Sequence, residues 1–493
     1  MRVFRVKPVD AAVVGAGERA PESLSRVLGA GDLIMLAIGA VIGAGIFGAI
    51  GTAAAGQVLP DGEVVRYGAG PALILSFLLL GGACALAALC YAELAAMIPK
   101  AGSAYTYTYA ALGEIVAWII GWDLILEYAV GNVAVAISWG DYVKTLLAGV
   151  GLHLPEWLAT GYRTALLSAD PAVHALLDTA PRIVGVPVLV NLPACGIVAF
   201  ITWLLVRGAR ESVRANAWMV AIKLIVLVVF VIAGLQQVNP DYYTPFAPNG
   251  FAGIHQGAAI VFFAYIGFDA VSTAAEETIN PQRNLPIGIL GGLAVCTLIY
   301  VVVGAVIVGM VPYQELAVAD PLAHALTLVG YTGAGWVVAL GAVVSMTAVL
   351  LVFQYGQPRI LFAMGRDGLL PGWAARVDPR TRTPRTTTIV TGVLVGTGAA
   401  VGDAAETYDL TNIGTLFAFA IVCGGVLVLR VRQPERPRPF RVPGVWIVAP
   451  LGMAACVFIM QGLPAQAWVR FGWWLAVGLI LYAAYGYRHS RLR

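Results

Sequence analysis

Residues 38–48 read IGAVIGAGIFG, halfway along an apolar run that extends over 33–57. Glycine costs a helix about 1 kcal/mol relative to alanine. Gly43, Gly45 and Gly48 so close together therefore mark a local break in any helix built from this run. The letters from Gly43 to Gly48 also spell the GxGxxG dinucleotide fingerprint. That fingerprint requires a short strand and a soluble helix around it, and a glycine run midway through an apolar span offers neither. Gly39 and Gly43 additionally form a GxxxG face suited to close helix packing. Backbone freed from helical hydrogen bonds survives at membrane depth only where protein or a ligand satisfies it. The break thus predicts a binding site.

The surrounding composition sets the context. Of 493 residues, 59% are hydrophobic and 12% charged, about half the charge a soluble chain carries. Mean hydropathy is +0.83. A net charge of +3 over this length is no nucleic-acid footprint, and so little polar surface excludes soluble domains and disorder. The chain reads as an all-α polytopic membrane protein. A crossing helix needs ~20 mostly apolar residues, and twelve windows qualify. The first six are 33–57, 71–98, 112–139, 186–206, 213–235 and 252–275. The others are 286–311, 335–362, 386–401, 410–429, 445–463 and 471–487.

Lys and Arg favour the cytoplasmic side of short loops. With the N-terminus inside, only Arg66, Lys144, Arg163, Arg182 and Arg470 of the 30 basic residues fall outside, and Lys223 lies within a span. Both termini are therefore expected on the cytoplasmic side of the cytoplasmic (inner) membrane. Residues 1–30 form a polar N-terminal tail without a cleavable signal pattern, and 489–493 a short C-terminal one. The long external segment 140–185 is expected to carry short surface helices.

The sixth span repeats the theme of the first. Residues 262–277 read FFAYIGFDAVSTAAEE, with Gly267 between aromatics and Asp269 two residues on. Gly-interrupted spans at matching places in two halves point to a transporter binding site. Here they are five helices apart, an odd number, so the second copy is inverted. Residues 31–238 form helices 1–5, 251–431 the inverted helices 6–10, and 442–488 two appended helices. Half-helix ends expose N–H groups that suit a carboxylate and carbonyls that suit an ammonium. An α-amino acid offers both.

Charged residues inside spans are costly and usually mark ion or substrate paths. Lys223 lies about ten residues, or ~15 Å, into its span, too deep for snorkelling. A lysine permanently paired within the bundle is the plainer alternative. Asp123 and Glu127 share one face of span three; a fixed internal hydrogen bond would also explain Glu127, and helix packing Asp123. Asp269 is placed to cap the resumed helix. Solvent suffices for Glu93, Glu114, Glu276 and Glu277 near span ends, and interfacial anchoring for Trp118, Trp336, Trp446 and Trp468. Ser345 and Thr347 on span eight can pack beside span five. The six cysteines form no CxxC, and the five scattered histidines fit no HExxH, so neither a metal, a cofactor nor an enzyme activity is expected.

Taken together, these strings resemble the cationic amino acid transporter family of the amino acid–polyamine–organocation superfamily. The resemblance rests on IGAVIGAGIFG at 38–48, ALCYAELAAMIPKAGSAYTYTY at 88–109 and GWDLILEYAVG at 121–131. It continues through MVAIKL at 219–224, FFAYIGFDAVSTAAEE at 262–277 and ILFAMGRDGLLP at 360–371. It implies a leucine-transporter-type five-plus-five inverted repeat with discontinuous helices 1 and 6, working by alternating access. Carried over, Gly43, Ala44 and Gly45 would offer N–H groups to a substrate carboxylate. The carbonyls of Ile42, Phe263, Ala264 and Ile266 would receive its amino group. Ala44 stands where many members carry Thr or Ser, so no hydroxyl reaches the carboxylate there. The stretches between Gly56 and Gly70 and after Trp139 depart from compact members.

The resemblance also implies that Lys223 stands where sodium-coupled relatives bind a cation, holding helix 1 when protonated and releasing it when neutral. The coupling ion would be the proton. Glu127 would lie near the substrate, compensating a cationic side chain or taking part in proton transfer. The expected function is import of a cationic or small neutral L-amino acid. An exchanger, a uniporter or a non-transporting sensor are the alternatives. Membrane lipid is an expected partner, nucleic acid is not, and a small membrane subunit is compatible with the sequence.

Overall fold

A computed structural model describes residues 5–6, 26–100, 102–207, 213–378 and 383–491. Most of the N-terminal tail and the last two residues of the C-terminal tail lie outside them. The first apolar run forms α1 (Ala30–Val41) and, after a π-helical turn at Gly45–Ala49, α2 (Ile50–Ala55). A hairpin of β1 (Gly56–Val58) and β2 (Val64–Tyr67) follows, antiparallel with Gly56 opposite Tyr67. It occupies the stretch that departs from compact members.

Then come α3 (Leu73–Met97), α4 (Ser103–Ala111), α5 (Glu114–Ile125) and, through another π-helical turn, α6 (Gly131–Gly149). After them lie α7 (Leu192–Val206), α8 (Val213–Leu235) and α9 (Gly250–Val261). The second half continues with α10 (Pro281–Met310), α11 (Thr332–Arg366), α12 (Arg385–Val401) and α13 (Ala404–Arg432). It ends with α14 (Val445–Met460) and α15 (Ala465–Leu481).

Among the described residues the regular structure is helical apart from two small hairpins. Among the described residues, 8 helices are long and apolar enough to cross a membrane, or 9 when the bent α1–α2 pair counts as one. Helix α7 is shorter than the window 186–206. A second hairpin takes Val186–Pro187, and Asn191 starts the helix by accepting a hydrogen bond from the Ala194 N–H at 3.0 Å. Between α6 and that hairpin lie four short helices, from Glu156–Ala159 to Leu176–Thr179. Arg163, on one of them, donates through Nε to Glu406 at the start of α13 at 3.0 Å.

One continuous apolar core runs through the bundle. Helix α10 packs on α1 and α3, α11 on α6 and α8, and α13 on α14. Helix α1 also packs on α8 and α11, and its last turn, Ala37–Val41, is buried. The charged span ends are less simple than solvation. Glu93 is buried, receives Arg430 Nε at 3.0 Å, and accepts from the Val442 N–H at 2.8 Å. Glu114 is buried against Tyr482, whose hydroxyl donates to it at 2.9 Å. Trp118 is equally interior: its Nε1 donates to Gly478 O at 2.9 Å, fixing α15 on α5. The side chain of Glu276 lies outside the described residues, and Glu277 uses its backbone carbonyl to receive Val27 and Leu28.

Candidate functional site

Helix α1 ends where Ile42 turns extended, at φ −77° and ψ 103°. The chain bends by 45° before α2. As the opening residues of a resumed helix, Gly43, Ala44 and Gly45 hold N–H groups with no helical acceptor one turn back. The segment after α9 is interrupted as well. After α9, residues Phe262–Tyr265 form a 3₁₀ turn, Ile266 is extended at ψ 135°, and Gly267 takes φ +114°. A left-handed φ of this kind is routine only for glycine. A second 3₁₀ stretch, Asp269–Glu277, follows.

The two breaks touch each other. A Cβ on Gly45 would lie 2.2 Å from Ala264 Cα, and one on Gly267 would lie 3.0 Å from the Ala40 carbonyl carbon. The glycines therefore permit a crossing of two backbones as well as the breaks themselves. A Cβ on Gly43 would meet Val349 at 2.8 Å, so α11 closes in from a third side.

Side chains on other helices satisfy the freed carbonyls. Lys223 is fully buried and donates through Nζ to Gly39 O at 2.8 Å and Ile42 O at 2.9 Å. Ser345 Oγ donates to the same Ile42 oxygen at 2.9 Å. Ser345 and Lys223 thus meet on one carbonyl. Thr347 is elsewhere, accepting from Trp139 Nε1 at 2.9 Å. Tyr300 on α10 lies 3.0 Å from Val41 O and 2.8 Å from Ala264 O, with one hydroxyl hydrogen to serve the two breaks in turn. Asn412 on α13 donates to Ala259 O at 2.8 Å and Ile260 O at 3.0 Å, at the end of α9.

Of the proposed ammonium acceptors, Ile42 O therefore holds two protein donors and Ala264 O one. Phe263 O takes only a long contact from the Ile266 N–H at 3.4 Å. Tyr300 and Asn412 were not singled out from the sequence. An amide or hydroxyl inside an apolar span was the available signal for both.

The acidic residues gather on the other side of the Gly267 break. Asp269 is buried as the first residue of its 3₁₀ stretch and accepts from Ser103 Oγ at 3.1 Å. Glu127 lies in the π-helical turn between α5 and α6, buried, beside Asp269 and Thr415. Asp123 is buried one turn earlier against Gly414, whose Cβ would be 2.6 Å from its Oδ1. A turn beyond Glu127 the neighbours change character. A Cβ on Gly131 would face Thr411 Cγ2 at 3.3 Å, Phe353 at 3.4 Å and Phe263 at 3.7 Å. The Phe263 ring packs on Tyr408 at 4.6 Å. So a crossing of two bare backbones is flanked by rings on one side and carboxyls on the other.

On the hairpin side, Arg66 on β2 is buried and pairs through Nη2 with Asp409 on α13 at 2.5 Å. Its Nε donates to Gln57 at 3.2 Å. The neighbouring Tyr408 hydroxyl shares a hydrogen bond with Ser138.

A family profile described as amino acid permease matches residues 28–484. The chain is 43% identical to a methylthioribose transporter of Bacillus subtilis over 490 residues, covering 99% of both. It is also 43% identical to a branched-chain amino acid permease of Bacillus subtilis over 492 residues, again 99% of both. A vacuolar cationic amino acid transporter of Arabidopsis thaliana is 38% identical over 84% of this chain and 65% of its own length.

Proposed function

Because the chain belongs to the amino acid permease family, a family of transporters and not enzymes, we propose that it imports an L-amino acid by alternating access with a proton as coupling ion. The observation that carries this reading is the grip of Lys223 on Gly39 O and Ile42 O. An ammonium here satisfies carbonyls that a broken helix leaves bare. Loss of its proton removes one donor hydrogen and the charge, which loosens α1 where it must move.

In this reading the twelve apolar segments act as spans of a five-plus-five inverted repeat, with helices 1 and 6 discontinuous and both termini cytoplasmic in the inner membrane. The substrate carboxylate rests on the N–H groups of Gly43, Ala44 and Gly45. Its ammonium takes the open lone pairs of Phe263, Ala264 and Ile266 rather than the twice-occupied Ile42 oxygen. The rings and methyl group around Gly131 suit an aliphatic side chain. Glu127, beside Asp269, serves proton movement more readily than a cationic substrate.

The test is uptake into proteoliposomes of a panel of labelled L-amino acids, with and without an inward proton gradient. Gradient-driven accumulation of aliphatic amino acids supports the reading. Equal uptake after the gradient is collapsed would make the protein an exchanger or uniporter, and binding without uptake would make it a sensor.

A further inference from the structure

Helix α10 opens at Pro281 beside the connection from α13 to α14. Between them lies an open groove of about 650 Å³. Its floor is apolar, made by Pro286, Ile287 and Leu290 of α10 and by Phe440 of the connection, and Arg283 stands at its edge. Arg441, next after Phe440, is exposed, as is Arg283. Neither guanidinium makes an ion pair or side-chain hydrogen bond among the described residues. Their neighbours differ: Arg430 in the last turn of α13 and Arg438 of the connection are both committed to Glu93.

The groove also continues in one direction. Along α10, Ile287, Val295, Leu298 and Val302 are exposed at helical spacing. They form one apolar stripe on a helix of membrane-crossing length. The groove is the charged end of that stripe. An occupant must be apolar along the helix and anionic at its end.

We propose that this groove binds one anionic phospholipid from the adjoining leaflet, its phosphate held by Arg283 and Arg441 and an acyl chain laid along Ile287 and Leu290. A free phosphate would use the two guanidiniums and leave the apolar floor bare. A neutral lipid would leave the two positive charges uncompensated. Only an anionic lipid matches both parts.

The full-length protein, purified and delipidated, tests this by native mass spectrometry with phosphatidylglycerol and phosphatidylcholine in competition. One phosphatidylglycerol per chain should be retained in preference to phosphatidylcholine. Each of R283Q and R441Q should lower that preference about fivefold, the scale of one basic residue at an anionic surface. Both side chains are exposed, and an unchanged melting temperature would show that the variants fold. Equal retention of the two lipids would overturn the proposal, as would an undiminished preference in the double variant. Displacement of the lipid by millimolar glycerol phosphate would also overturn it, because the site would then read the phosphate alone.

Discussion

Gly45 and Ala264 meet backbone to backbone, so close that a methyl group on Gly45 would sit 2.2 Å from Ala264 Cα and 2.4 Å from its nitrogen. No rotamer relieves such a clash, because both sides are main chain. The crossing of the two broken helices is therefore fixed by the absence of one carbon atom.

Gly45→Ala should reduce uptake at least about tenfold while Gly31→Ala leaves it unchanged. Nothing lies within 4 Å of a Cβ on Gly31, and alanine favours a helix more than glycine does. Because the clash is with main chain, Gly45→Ala should cost at least the roughly 1–3 kcal/mol of core overpacking, so its melting temperature is read alongside uptake. Proteoliposome uptake normalised to purified protein is the measurement, and equal rates for the two would refute the crossing as a constraint.

Lys223→Met leaves Gly39 O without its lysine donor and Ile42 O with Ser345 alone. Each buried carbonyl left unpaired costs about 1–3 kcal/mol. Under an imposed pH gradient the variant should lose accumulation while keeping substrate counterflow. Full gradient-driven accumulation by Lys223→Met would remove the lysine from the coupling step.

Arg66 and Asp409 form a buried ion pair between β2 and α13. Removing one partner of such a pair typically destabilises by about 3–5 kcal/mol, whereas replacing both by apolar residues is often neutral. Asp409→Leu should therefore lower the melting temperature markedly, and Arg66→Met with Asp409→Leu should restore much of it. Additive losses in the double variant would mean that the two side chains act independently.

The breaks were legible because glycine within an apolar span has a cost that needs a reason, and Lys223 because a buried charge does. The partners were not. Arg66 and Asp409 are 343 residues apart, and nothing local to the hairpin reveals that its arginine turns inward. Tyr300 and Asn412 sit in spans that read as core, so their hydroxyl and amide declare a role only once the carbonyls they meet are placed. Glu93 and Glu114 were read as solvated because they fall near span ends. The 433–442 connection folds over the first, and the C-terminal segment covers the second through Ser490.

Tyr300→Phe removes the single hydroxyl that lies between Val41 O and Ala264 O. One of these oxygens is a proposed neighbour of the substrate ammonium. Ring packing against Phe77 and Tyr265 is retained, so folding should be little affected. Transport should slow more than binding weakens, because the hydroxyl ties together two helix halves that must separate. A loss confined to affinity, seen by comparing substrate-induced thermal shifts with uptake rates, would assign Tyr300 to the ligand instead.

Gly131 offers the sharpest test of what the site accepts. A methyl group there would lie 3.3 Å from Thr411 Cγ2 and 3.4 Å from Phe353, tight but without a backbone collision. Gly131→Ala should therefore fold and still recognise the amino and carboxylate groups held at the breaks. What it takes away is room, about one methyl group from the side that the substrate's own side chain would occupy. A methylene more or less in an apolar pocket is worth about 1–3 kcal/mol, or roughly 10–200-fold in selectivity. Uptake of leucine and isoleucine should fall by that order while alanine and glycine are spared. Uniform loss across the series would place the substrate side chain elsewhere. Unchanged leucine uptake would do the same, and the rings around Gly131 would then be packing rather than a pocket.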